Sequence, residues 1–164
     1  RRSSDLLRGR IPTFSDLPAL PYTETIVKEV LRLYPPAWFI FRQATEPVEL
    51  EGATFPAKTL FFLFPYAAQR DSRWYDQPQQ FNPDRWRNGL EQTLSKGAYF
   101  PFGLGPRICI GNGFAQMEAQ LLLATIAQRF HLEILDQPQI TPGSPTLSFA
   151  HPVRVRLHSH QTDV

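Results

Sequence analysis

The stretch Phe102-Gly103-Leu104-Gly105-Pro106-Arg107-Ile108-Cys109-Ile110-Gly111 places two glycines, an arginine and the only cysteine of the chain directly before a long apolar run. Glycine tolerates positive φ and close backbone approach, so such a loop can fold its amides around a sulfur atom without Cβ clashes. A cysteine at the start of a helix meets the positive end of the helix dipole. Arg107 adds a second positive charge, so the thiolate, which is the metal-ligand form, is favoured over the thiol. The opposing reading is a buried apolar cysteine beside glycines that merely close a turn, cysteine being among the most buried residue types.

Downstream of this loop the spacing predicts a helix from about Gly111 to Arg129. It carries Phe114, Met117, Leu121, Leu122, Ala124 and Ile126, and the unbroken Leu121-Leu122-Leu123 predicts burial on more than one side. Upstream, Ile26, Val27, Val30, Leu31 and Tyr34 recur at helical spacing, which predicts a helix from Thr23 to Tyr34 with that stripe facing the core; Pro35-Pro36 cannot continue it. The run from Val48 to Phe64 reads as short strands around a Gly52 turn, most simply a hairpin. Leu132 to Leu135 and Val153 to Leu157 suit a second small sheet with one wet face.

At 164 residues the chain has room for about one domain, and 42% hydrophobic against 20% charged residues excludes a disordered chain. A formal charge of +2 argues against nucleic acid as a partner. Sixteen prolines, about twice average usage, point to many turns and a proline-rich meander between the strands and the cysteine loop. One cysteine forbids an internal disulfide, a multi-thiolate zinc site, an iron–sulfur cage and Cys-x-x-Cys-His attachment. His131, His151, His158 and His160 show no ligand spacing. Single-cysteine usage leans towards an intracellular, reducing compartment, the cytoplasm in a bacterium. The only methionine is Met117, so Arg1 is not a translational start and a piece of a longer protein is expected. Membrane anchoring upstream of Arg1 is not assessable from these residues.

At every fixed position the decapeptide matches the Phe-x-x-Gly-x-Arg-x-Cys-x-Gly loop of the cytochrome P450 heme-thiolate family, which the sequence resembles over essentially all of residues 17 to 158. Glu29-Val30-Leu31-Arg32 is similar to the Glu-x-x-Arg helix of that family, and Phe81-Asn82-Pro83-Asp84-Arg85 to its Phe-x-Pro-x-Arg segment. On spacing alone Glu29 and Arg32 are a solvated pair opposite the apolar stripe, worth little. The resemblance implies instead a buried structural triad of Glu29, Arg32 and Arg85 that holds the meander over the cysteine loop. The family often has His-Arg-Asp where this chain has Gln69-Arg70-Asp71.

The resemblance implies a mainly α fold with small β-sheets, the C-terminal, heme-proximal portion of the cytochrome P450 fold. The expected division is a lead over 1–16, the Glu-x-x-Arg helix region over 17–36 and strands over 37–66. The meander follows over 67–100, the cysteine loop over 101–111, the proximal helix over 112–130, and a small sheet with the tail over 131–164. It implies heme b (iron protoporphyrin IX) as cofactor with Cys109 as axial ligand and catalytic residue. Arg107 and Arg42 are expected at the propionates, with Phe102, Gly103 and Gly111 around the sulfur, Phe102 packed beside it and loop amides donating to it. Arg42 reads alternatively as an ordinary charge leaving a strand. Ala37, Phe39, Leu147 and Ser148 are expected to reach substrate, with plain core packing of Phe39 and Leu147 as the alternative.

The activity implied for the parent is monooxygenation of a small apolar organic substrate by dioxygen, with electrons from a ferredoxin or flavin reductase. That partner would be steered by Lys96, Arg85, Arg87 and Arg107, with scattered surface charge as the alternative for Lys96 and Arg87 and interior tasks already expected of Arg85 and Arg107. The rivals are a heme-thiolate isomerase, dehydratase or peroxygenase, and an inactive heme-binding or structural fragment. The oxygen-side helix with its acid-threonine pair is missing; Glu24-Thr25 has the residue types but lies within the first helix, away from such a setting.

Overall fold

The computed structural model describes residue 7 and residues 9–143 and 146–160. Residues 1–6 and 8 of the expected lead, and 144, 145 and 161–164 of the expected tail, lie outside the described residues. After a 3₁₀ turn over Phe14–Ala19 the first helix, α1, spans Pro21–Leu33. It begins two residues before the predicted Thr23 because Pro21 at the first helical position is already set at a helical φ and its missing N–H costs nothing there. It stops at Leu33, ahead of Pro35-Pro36.

Of the predicted apolar stripe α1 buries only Val27, with Ile26 and Leu31 half-buried. Val30 and Tyr34 are each 41% exposed, whereas Thr23, Thr25, Val27, Glu29, Arg32 and Leu33 are buried. The side of Glu29 and Arg32 turns inward because the meander wraps against it and satisfies every polar group it carries, which removes the usual penalty on burying them.

Strand β1 (Ile40–Gln43) pairs antiparallel with β4 (Leu60–Leu63), Phe41 opposite Phe62 and Arg42 opposite Phe61. Between them β2 (Val48–Leu50) and β3 (Ala53–Phe55) form a separate hairpin closed by Glu51 and Gly52, both at positive φ. The single hairpin predicted over Val48 to Phe64 is therefore two ladders. Pro56 interrupts the run, Lys58 turns at φ 70°, and Leu60–Leu63 goes back to residues ahead of the hairpin. Short helices α2 (Pro65–Ala68) and α3 (Leu90–Thr93) flank the meander, which contains a 3₁₀ turn over Pro83–Trp86.

Helix α4 spans Asn112–Arg129 and buries only Gln120 and Ala124; Phe114, Leu122 and Ile126 are exposed. Of the Leu121-Leu122-Leu123 run, Leu121 and Leu123 are half-buried and Leu122 is exposed, so the expected burial is only partial; among the described residues α1, the Phe14–Ala19 turn and the strand that continues the helix pack against it. That strand, β5 (Phe130–Ile134), pairs with β8 (Val155–Ser159), and β6 (Ile140–Pro142) pairs with β7 (Leu147–Phe149). Every residue of β8 is exposed, so the tail sheet is wet on both faces rather than one.

At the centre stand Arg32, Glu29, Gln69 and Tyr75, which are among the most completely buried side chains. Both Glu29 oxygens accept from Arg32 at 2.9 Å. Glu29 Oε1 also accepts from the Asn82 amide at 2.8 Å and Arg85 Nε at 3.0 Å, and Oε2 accepts from Trp86 Nε1 at 2.9 Å. The remaining N–H groups of Arg32 go to the carbonyls of Gln69, Pro78 and Gln80 at 2.8, 2.7 and 3.2 Å, so all five of its donors are used. Asn82 and Trp86 are members of this cluster that the sequence motifs do not name.

Burial by itself would push the Glu29 carboxyl up, but the bonds from Arg32, the Asn82 amide and Trp86 outweigh it and hold the group below the ordinary carboxylate range. The folded protein therefore keeps Glu29 ionised to lower pH than the unfolded chain does. Its contribution is complete above an ordinary glutamate pKa of about 4.3 and is lost as pH falls through the lowered folded value. Urea unfolding should show the midpoint dropping below about pH 4, with a flatter pH dependence in Glu29→Gln. Glu29→Ala or Arg32→Ala should remove about 3 to 5 kcal/mol by leaving a buried charge unpaired, giving heme-free or unfolded protein in denaturant titrations and heme-content assays.

Candidate functional site

The cysteine loop is built by hydrogen bonds of its own backbone. Gly103 and Gly105 sit at φ 80° and 70°, conformations open to glycine at no steric cost. A 3₁₀ turn over Gly105–Arg107 follows, then Ile108 returns to an extended conformation, so the cysteine lies on a turn and not within a helix. The Cys109 N–H donates to Phe102 O at 2.9 Å, the Gly103 N–H to Phe100 O at 3.0 Å, and the Ile108 N–H to Gly105 O at 3.0 Å. Asn112, the first residue of α4, donates to Cys109 O at 3.2 Å. Cys109 thus sits just ahead of the helix N-terminus, with Gly111 capping.

The thiol is free and exposed, which removes the reading of Cys109 as a buried apolar residue. The expected donation of loop amides to the sulfur is narrower than supposed, because those of Gly103, Ile108, Cys109 and Asn112 are committed to backbone carbonyls. Among the described residues, the N–H groups of Ile110 and Gly111 have no carbonyl partner. A Cβ on Gly111 would touch Cys109 Sγ at 3.8 Å, so the cap and the sulfur are in direct proximity. Phe102 is half-buried, and its carbonyl receives the Cys109 amide.

Cys109 does not line any of the larger clefts; it stands on an open shelf whose neighbours in sequence, Leu104, Ile108, Ile110 and Phe114, are all exposed. The two cations expected at the propionates are both exposed. Arg107 is exposed on the loop, and Arg42 is exposed with its Nη1 on Phe41 O at 2.8 Å. Neither has a carboxylate partner among the described residues. Ile40 Cδ1 comes within 3.9 Å of where a Gly103 Cβ would be, so this face of β1 looks onto the loop, and Arg42, two residues on, shares that face. One soft sulfur donor, an apolar shelf and two uncompensated cations fit a flat apolar macrocycle with a central iron and two carboxylates.

The two stretches expected to reach substrate are joined. Ala37 bridges Thr146, the Leu147 N–H donates to Pro36 O at 2.8 Å, and Trp38 Nε1 reaches Gly143 O at 3.2 Å. They frame a shallow apolar cleft of about 390 Å³ lined by Trp38, Phe39, Phe62, Phe64, Pro142 and Gly143. Of the four expected residues only Phe39 lines it. Ala37 and Leu147 serve in the bridge, and the exposed Ser148 pairs with Thr141 in the β6–β7 ladder. Phe62 and Phe64 were missed, although the alternation of Leu60–Phe64 puts both on one face of a strand.

The expected cationic cluster breaks up. The Arg85 side chain is 8% exposed and bound to Glu29, and Arg87 pairs with Asp84 at 2.9 Å and lies over the Tyr22 ring. Lys96 and Arg107 remain exposed. His131 and His158 face each other across β5 and β8, and His158 reaches Glu133 at 2.8 Å. No group of three metal-ligating side chains occurs among the described residues. No helix among them is long and apolar enough to cross a membrane.

Comparison with known proteins agrees with this geometry. The chain is 41% identical over 128 residues to cyclooctat-9-en-7-ol 5-monooxygenase of Streptomyces melanosporofaciens, covering 78% of the chain and 28% of that protein. It is 37% identical over 152 residues to pentalenene oxygenase of Streptomyces avermitilis, covering 93% of the chain and 34% of that protein. A crystal structure of a cytochrome P450 (CYP102L1) superposes with a TM-score of 0.85 at 29% identity, covering 97% of this chain and 37% of that one. The chain spans about a quarter to a third of the length of the curated relatives it matches. The sequence model of the cytochrome P450 family matches residues 4–157: the chain belongs to the cytochrome P450 family, whose standard prosthetic group is heme b.

Proposed function

We propose that the protein carrying this chain is a heme-thiolate monooxygenase. In the overall reaction a C–H bond of a small apolar substrate gains one oxygen atom from dioxygen, and the other leaves as water with two electrons and two protons supplied from outside. The observation that carries this reading is the exposed Cys109 thiol on its glycine-bearing loop just ahead of α4, with the exposed Arg107 two residues before it. Heme b, when bound, supplies the redox-active iron at which dioxygen is activated.

The residues of this chain have separate tasks in that reading. Cys109 would hold the iron as thiolate, and the Ile110 and Gly111 amides, which no carbonyl engages among the described residues, would be free to donate to its sulfur and moderate its electron donation. Arg107 and Arg42 neutralise the propionates. The Glu29 cluster holds the loop in register without touching the reaction. Phe39, with Phe62 and Phe64, presents apolar surface to one side of the substrate. The names of two relatives, a monooxygenase and an oxygenase, support this activity class. Electrons come from an acidic redox partner, a ferredoxin or a flavin reductase, steered by the exposed Lys96.

Cys109→Ser should lose the red-shifted Soret band of the reduced, carbon-monoxide-bound protein, while Arg107→Ala and Arg42→Ala should keep the band and retain heme less well during gel filtration. An unchanged band in Cys109→Ser overturns the assignment. In a longer protein that includes this chain, isotope-labelled dioxygen should put one labelled atom in product and one in water. Replacing Phe39 with alanine should alter the ligand-induced spectral shift, and an identical shift would make Phe39 a packing residue only.

A further inference from the structure

Helix α1 ends with a deficit that its own sequence creates. The carbonyls of Leu31 and Arg32 would accept from the amides four residues on, and those positions are Pro35 and Pro36, which have no N–H. Only the preceding carbonyl, that of Val30, is closed within the helix, by the Tyr34 amide at 2.7 Å. The two orphans lie inside the protein, where an unpaired carbonyl is costly.

Gln69 removes the deficit. Its side chain is fully buried, and Nε2 donates to Leu31 O and to Arg32 O, both at 3.0 Å. The other end of the same amide, Oε1, accepts the Phe100 N–H at 2.8 Å. Two carbonyls facing one end and an N–H facing the other leave a single sensible orientation for the amide. Its backbone is pinned as well, with the N–H on Pro65 O at 2.9 Å and the carbonyl receiving Arg32 Nη1 at 2.8 Å.

Phe100 begins the path to the sulfur: its carbonyl accepts the Gly103 amide at 3.0 Å, and Phe102 O accepts the Cys109 amide at 2.9 Å. We infer that Gln69 is a positioning residue for the cysteine loop, using one side-chain amide to close the proline-ended helix and to fix the height of the segment that leads to Cys109. Glutamine suits this task because it offers two donors and an acceptor at once; a neutral histidine offers one of each and would leave one helix carbonyl unpaired. A second pin, Tyr75 Oη on Ala98 O at 3.0 Å, holds the same segment two residues earlier, so loss of Gln69 loosens the loop without unfolding the chain.

The inference gains its functional meaning from the reading of Cys109 as the heme ligand, but the test needs no heme, so the two can fail separately. Amide hydrogen exchange of the heme-free protein that includes this chain is compared between the parent sequence, Gln69→Met and Gln69→His. In Gln69→Met the Phe100 and Gly103 amides should exchange faster by about tenfold, while those of β5 and β8 stay unchanged. Gln69→His should be intermediate, since it keeps one donor and the acceptor. Unchanged exchange at Phe100 and Gly103, or an equal acceleration in β5 and β8, overturns the inference. Should Gln69→Met give no folded chain, Gln69→His decides by the same criteria. With heme added, Gln69→Met should also shift the carbon-monoxide complex from the thiolate band towards the blue-shifted form, a ratio that a general loss of folded protein would not change.

Discussion

The carboxylate of Glu29 collects five hydrogen bonds from four residues, two of them arginines, and no part of its side chain reaches solvent. Taking such an ion out of water is unfavourable by several kcal/mol, and the arrangement stands only because every donor of Arg32 and both oxygens of Glu29 are satisfied. That requirement makes the cluster an all-or-none geometry. The carbonyls of Gln69, Pro78 and Gln80 must be presented to Arg32 together, which fixes a segment with little regular structure of its own against α1. The meander has shape because a buried charge demands it.

The same cluster reaches the cysteine loop in a few bonds. Arg32 holds the Gln69 carbonyl, Gln69 holds the Phe100 amide, and the carbonyls of Phe100 and Phe102 hold Gly103 and Cys109. The interior of this chain sets a hydrogen-bonded polar cluster among apolar side chains such as Leu20, Leu33 and Phe100, while much apolar surface around the sulfur and along α4 stays outside. A ligand that covers the shelf stabilises the folded state by mass action. Rigid support beneath the loop means that little ordering free energy is lost when the iron is ligated.

The loop itself was legible: two glycines at the positions that take positive φ, a proline in the turn and a cysteine before an apolar helix are local features. Both long helices were readable to within two residues, since prolines mark both ends of α1 and periodicity marks α4. The buried side of α1 was misread, because hydrophobic periodicity identifies two faces without saying which one meets partners. Val30 and Tyr34 look like core, yet Glu29 and Arg32 occupy it. The partner of Leu60–Leu63 was misassigned for a related reason: alternation describes a strand and is silent about which strand lies beside it. Trp86, Asn82, Phe62 and Phe64 escaped notice as members of sites, since each acts at a distance of tens of residues along the chain.

What the amino-acid order determined unaided was every feature settled within a few residues: the turn that presents Cys109, the stop of α1 at its prolines, and the two carbonyls those prolines leave without donors. Three-dimensional packing alone decided who answers such local demands. A side chain 37 or 38 residues away supplies the absent donors, and a carboxylate 56 residues before Arg85 binds it. The division has a physical cause: backbone sterics and helix hydrogen bonding act over about four residues, whereas a buried polar group is stable only beside whatever partner the closed chain brings to it.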